Sequence, residues 1–158
     1  MAQNANITIS SIIIEVFQHA TESEDLILKG LTYLIPTTSE DIWIKKLTST
    51  KIIGYHKNEI HLHSLTIPKN LANETFKSLM SNMKSKIRID AFSANISEKG
   101  DIHVRIDKQE LIKDGNLQPL VKNPINNTGV YKIICKFSYF GKKTEKKINI
   151  TNFISKFL

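Results

Sequence analysis

Hydrophobic positions along the chain switch repeatedly between a period of two and a period near 3.6. From Ile7 to His19, Ile12, Ile14 and Val16 fall on one side and Ile13, Glu15 and Phe17 on the other, which predicts a strand. In the T-E-S-E stretch that follows, Thr21 and Glu24 are spaced as a capping box. A helix carrying Leu26, Ile27, Leu31 and Leu34 should open there and stop at Pro36, which cannot continue it. Strands are predicted at Ile42 to Leu47 and at Glu59 to Ile67, joined as a hairpin through G-Y-H-K-N.

Pro68 ends that strand and Asn70 is placed to cap the next helix. Ala72, Phe76, Leu79, Met80, Met83 and Ile87 recur there at helical spacing, with Lys77, Lys84 and Lys86 outward. Phe92 to Ile96 and Ile102 to Ile106 flank Lys99-Gly100-Asp101 as a second hairpin. Asp107, with Glu110 three residues on, opens a short helix that ends near Gly115. After a loop from Pro119 to Gly129, Val130 to Phe140 alternates again: Tyr131, Ile133, Cys135, Phe137 and Tyr139 on one face, Lys132, Lys136 and Ser138 on the other. A short edge strand is expected at Lys147 to Thr151.

This order of elements predicts an α+β, two-layer domain, with helices packed on one face of a mostly antiparallel sheet. Residues 1–140 are expected to form the domain and residues 141–158 a basic C-terminal extension. The other face of the sheet is left wet and should carry His103, Arg105, Lys132 and Lys136, with Lys45 and Glu15. A register slip of one residue would exchange the two faces.

With 158 residues and 41% apolar content, the chain can bury a core of its own. No apolar run is long enough to span a bilayer, and the start, M-A-Q-N-A-N, lacks the regions of a signal peptide. The single cysteine, Cys135, rules out an internal disulfide and fits a reducing compartment, so a cytoplasmic location is expected, with no membrane partner. Lys and Arg number 22 against 15 Asp and Glu, a net charge of +7. A compositional bias toward Ile, Lys and Asn would produce much of that excess. Its uneven placement, with five lysines and one glutamate between Gly141 and Leu158, points instead to an anionic partner.

The chemistry of catalysis is hard to find. There is no phosphate-cradling glycine loop and no nucleophile elbow, and Asp101 and Asp107 lack the spacing of a metal-dependent nuclease. His61 and His63 alone do not make a metal site, and none of His19, His56 or His103 is fixed beside them. Cys135 sits in an apolar row and reads as a small buried hydrophobe. Phe17 and Tyr131 are read as core. Tyr55, in a polar loop beside His56 and Lys57, is the better candidate for stacking on a base, and Trp43 is another aromatic of that kind. Arg105, Lys108 and Gln109 surround a strand-to-helix junction whose free N–H groups suit anions. If the carboxylates of Glu24 and Glu110 cap their helices, anion binding passes to the Lys and Arg side chains.

Three motifs stand in order along the chain: H-A-T-E at His19 to Glu22 ahead of a helix ending L-I-P, G-Y-H-K-N-E-I at Gly54 to Ile60, and R-I-D-K-Q at Arg105 to Gln109. Together, and across about Ile9 to Phe140, they resemble a family of small archaeal RNA-binding proteins, predicted exosome-associated subunits. The resemblance implies a fold like that of a ribosomal protein gripping ribosomal RNA. It implies RNA as partner, an RNA-processing protein complex as a second, and no enzymatic activity. The motif positions it carries over are His19, Thr21, Glu22, Gly54, Asn58, Arg105, Asp107, Lys108 and Gln109. The residue-level reading adds Tyr55, His56, Lys57, His103, Lys132 and Lys136 to the candidate RNA contacts, with no cofactor and no metal. Lys57 stands where the family has glycine, which should disfavour a left-handed turn there. A protein-interaction subunit without direct RNA contact is the competing expectation.

Overall fold

The computed structural model describes residues 6–36, 45–83, 96–119 and 129–156. Five strands form one antiparallel sheet in the order β2-β3-β1-β5-β4. Its centre is β1 (Asn6–His19), flanked by β3 (Glu59–Ile67) and β5 (Val130–Phe140); the edges are β2 (Thr48–Ile53) and β4 (Ile102–Asp107). One face is dry. Ile12, Ile14 and Val16 of β1 join Leu65, Ile67, Ile102, Val104, Ile106, Ile133 and Cys135 in a single core. Against it pack α1 (Glu24–Thr32), α2 (Lys69–Met83), α3 (Lys108–Asp114) and α4 (Lys146–Ser155), through buried residues such as Ile27, Phe76, Leu111 and Ile150. This is the two-layer α+β domain that the alternating patterns predict.

The helical stripe of α2 buries Ala72, Phe76, Leu79, Met80 and Met83 as its spacing requires, while Lys77 is exposed. The helix starts at Lys69, with the amides of Leu71 and Ala72 donating to the Pro68 carbonyl, so Asn70 lies inside it and does not cap it. Ile87, Lys84 and Lys86 lie outside the described residues, as do Trp43 and Phe92 to Asn95. Of the hairpin around Gly100, Ile96 bridges Ile102, and Gly100 takes a left-handed φ of 86° that glycine tolerates.

Three expectations need correction. The first hairpin strand is Thr48–Ile53; Lys45 to Leu47 are not strand, and positions 42–44 lie outside the described residues. β2 is exposed at all six positions, so nothing in its sequence alternates. The extension is a helix, α4, in place of an edge strand: Ile150 and Ile154, one turn apart, enter the core, and Phe153 meets Phe137 edge-on at 6.0 Å. Thr21 forms no capping box. α1 begins after Ser23, which makes no side-chain cap.

Deep burial also fixes two polar side chains. Tyr131 donates its hydroxyl to the Ile27 carbonyl at 2.6 Å, beneath α1. Burial pushes the Cys135 thiol up to about 12, with the charge of Asp101 adding to the effect.

Candidate nucleic-acid interface

Pairing register decides what the second face of the sheet displays. Glu15 of β1 faces Lys132 of β5, and Lys132 faces Arg105 of β4, so three charged residues run side by side across the strands. One step along, Ile13 faces Ile134, which faces His103; beyond that, Lys136 stands opposite Ser11. Lys136 is exposed, and the others are partly so. The face thus gathers His103, Arg105, Lys132 and Lys136 as the alternation requires, with Glu15 among them; Lys45 is exposed but lies outside the strands.

A pocket of about 140 Å³ opens on this face between Glu15, Phe17, Arg105, Val130 and Lys132. Phe17 lines it and is only partly buried, which corrects its assignment to the core; Tyr131, on the opposite face, is core as expected. Among the described residues the ion pairs involve Lys51, His61 and Lys108, and none joins Glu15, Lys132 or Arg105 to one another. The Nε of Arg105 is withdrawn from solvent and has no acceptor. His103 is held below the usual imidazole range, first by desolvation and then by the charge of Lys132, while Asp101 opposes the shift.

Lys108 is the main correction to the candidate list. Its side chain does not reach the surface: 1% exposed, it donates from Nζ to the Phe17 carbonyl at 2.7 Å and to Glu22 at 3.2 and 3.3 Å. Desolvation lowers its pKa and Glu22 opposes the shift. A lysine so enclosed cannot meet a phosphate. The partner is Glu22, not Glu110 or Asp114, and Glu22 also accepts the His19 amide at 2.9 Å. The H-A-T-E and R-I-D-K-Q motifs therefore meet in space, and their contact is structural. Gln109, the next residue, is exposed, and His19 is partly so.

At the start of α3, Asp107 accepts the Glu110 amide at 2.9 Å. Only half the capping box forms: the Asp107 amide donates to the Gln118 carbonyl, and the Glu110 carboxylate accepts from Asn116. Gly115 closes the helix in the left-handed conformation, φ 67°.

Tyr55, His56, Lys57 and Asn58 form the exposed tip of the β2–β3 hairpin, with Gly54 donating to the Asn58 carbonyl at 2.8 Å. Tyr55 is 97% exposed and meets His56 edge-on at 5.2 Å. Lys57 adopts φ 62°, the left-handed turn its side chain was expected to disfavour, because the five-residue loop is closed around it by the Lys57 amide bonding to Gly54. Four strand spacings, about 19 Å, separate β2 from β4, so the tip and Arg105 are distinct parts of the surface.

His61 and His63 are stacked, but His63 is buried and engaged on both nitrogens: Nδ1 with Ser49 Oγ and Nε2 with Gln18 Oε1, each at 2.7 Å. Nothing in the spacing of the sequence signals that network. Among the described residues, no cluster of three or more His, Cys, Asp or Glu could hold a metal ion, and no helix is long and apolar enough to cross a membrane.

Comparison with known proteins bears on the fold and the family. The chain is 28% identical over 100 residues to an uncharacterised protein of Methanocaldococcus jannaschii, a stretch covering 63% of this chain and 62% of that protein's length. Its fold is similar to that of Mth689, a DUF54 protein from Methanothermobacter thermautotrophicus, with a TM-score of 0.74, 19% identity and coverage of 97% and 99% of the two chains. It is also similar to SSO0741 from Sulfolobus solfataricus, with a TM-score of 0.61, 21% identity and coverage of 94% and 99%. A family model described as RNA binding matches residues 11–125, which takes in β1 from Ser11 onward, β2, β3, β4 and the Arg105 motif, and by that match the chain belongs to this RNA-binding family.

Proposed function

We propose that this protein binds single-stranded RNA along the open face of its sheet, without catalysing a reaction on it. The observation that carries the reading is the row of Lys132 and Arg105, extended by Lys136, on a face to which the described helices contribute no core contacts. Membership of an RNA-binding family supplies the class of polyanion. Lysine ammonium groups are compact point charges that neutralise phosphates with little preference for base, and Arg105 adds a fork of planar donors. Gln109, exposed in the first turn of α3 directly after β4, is a further candidate contact. The hairpin tip, with Tyr55, His56, Lys57 and Asn58, offers a second contact about one sheet-width away, within reach of the same strand of RNA.

Titration of a fluorescent oligonucleotide across salt concentrations tests the reading. Each neutralised phosphate of a single strand contributes about −0.7 to the slope of log affinity against log salt. Replacing both Lys132 and Lys136 by alanine should therefore flatten the slope by about 1.4 and weaken binding at low salt. Affinity unchanged by salt and by both substitutions would remove the open face as the binding surface.

An accessory role in RNA processing or degradation, within an exosome-like or ribosome-associated assembly, rests on the resemblance of the three motifs. The exposed Tyr55 and Ile53 beside Lys57 favour a protein contact at the hairpin tip as a second reading. A stoichiometric protein complex that survives nuclease and high salt during purification would support it.

A further inference from the structure

The pocket between Glu15, Phe17, Arg105, Val130 and Lys132 has a composition that a phosphate alone does not explain. A carboxylate stands in the same cross-strand row as the two cations, and it would repel an anion seated among them. Yet the charges have not neutralised one another. Glu15 forms no ion pair with Lys132, its direct neighbour, and the Arg105 Nε–H is out of water with no acceptor. That Nε–H is too deep for a ligand to reach, but among the described residues no ion pair engages the rest of the guanidinium, and as a wall of the pocket it can donate to a ligand that supplies acceptors. The remaining walls, Phe17 and Val130, are apolar.

A flat ring with donors along one side and acceptors along the next would satisfy all of these features together. We propose that this pocket receives one unpaired base of the bound RNA, and that the preferred base is guanine. Guanine carries two adjacent donors, N1–H and the N2 amino group, matching the two oxygens of a carboxylate, while O6 and N7 accept from a guanidinium. Uracil and cytosine each present a single donor group on that edge, and adenine presents only its N6 amino group. Glu15 takes the donor side and Arg105 the acceptor side; they stand two strands apart, about 10 Å between backbones, with the base between their side chains. Phe17 contacts the ring, and Lys132 meets the phosphate attached to the same nucleotide. Because the donor edge is the one used in base pairing, the base must be unpaired.

This inference rests on the RNA-binding reading, and the experiment separates the two. Fluorescence anisotropy is measured with a labelled uridine hexamer, the same hexamer with one central guanosine, and one with inosine in its place, which lacks the 2-amino group. The guanosine oligomer is expected to bind about tenfold more tightly than the uridine one, and inosine to lose most of that gain. In the Glu15→Gln and Arg105→Ala proteins the ratio of the two affinities should fall to about one. RNA binding that is salt-sensitive but shows no guanosine preference, or a preference that persists in Glu15→Gln, overturns the base pocket and leaves the general reading standing. Failure of every oligomer to bind overturns both.

Discussion

Lys108 and Glu22, 86 residues apart in sequence, meet at 3.2 Å in the interior, and the same ammonium caps the carbonyl of Phe17. The pair ties the turn after β1 to the start of α3. Breaking a buried pair by removing one member leaves the other uncompensated, at about 3–5 kcal/mol when both are fully enclosed. Glu22 is 22% exposed and can be rehydrated in part, so Lys108→Met should destabilise the protein by about 2–3 kcal/mol. Urea unfolding would register this as a lower midpoint at unchanged slope. RNA affinity measured well below the midpoint should hardly change, because Lys108 does not face the ligand.

His63 makes stability depend on acid. It is buried and engaged with Ser49 and Gln18, and desolvation holds its folded pKa below the usual imidazole value, with Glu24 opposing the shift and His61 adding to it. The unfolded chain therefore takes up a proton first as pH falls. The contribution is complete above about pH 6.5 and is lost as the pH drops through the lower folded value. His103 shifts the same way. Thermal midpoints should be flat from pH 8 to 7 and fall between pH 6.5 and 5; His63→Gln should be less stable at pH 7 and less sensitive to that drop.

Gly30 tests the packing of α1. A methyl group at that position would meet the ring and hydroxyl of Tyr131, which is already held by the Ile27 carbonyl. Gly30→Ala should cost about 1–3 kcal/mol despite alanine's better helix propensity. Tyr131→Phe should cost about 1 kcal/mol, the net worth of one hydrogen bond. Combining the two should cost less than their sum, since removing the hydroxyl relieves part of the clash.

Lys57 holds a left-handed backbone at the hairpin tip, a conformation that costs roughly 1 kcal/mol for a residue with a Cβ. Lys57→Gly should raise stability by about 0.5 kcal/mol, the relief being partly offset by the greater freedom of glycine in the unfolded chain. If the tip contacts RNA, the same change should lower affinity at low salt, so stability and binding would move in opposite directions.

Sheet strands with one dry face were legible in the sequence, because alternation records which side meets the core: β1, β3, β5 and the stripe of α2 all read correctly. β2 was not, since an edge strand exposed at every position leaves no periodic trace. The tail misled for the opposite reason. K-I-N-I-T alternates like a strand, and the telling pair was Ile150 with Ile154, four apart. At the candidate interface, the open-face cations followed from strand parity alone. Lys108 did not, because burial of a lysine depends on where a distant carboxylate lies; Glu22 and Lys108 carry opposite charges in two separate motifs, and that was the available clue. Phe17 was misplaced by its residue type, although its parity put it beside Glu15.

The depth of Cys135 has a practical consequence. It is the only cysteine, its side chain lies in the core, and its thiol stays protonated at any neutral pH. Maleimide dyes and spin labels will therefore pass the native protein by. A cysteine introduced at Tyr55 or Lys136 would be the sole reactive handle on the molecule, so a probe could report from the hairpin tip or the open sheet without first removing the native residue.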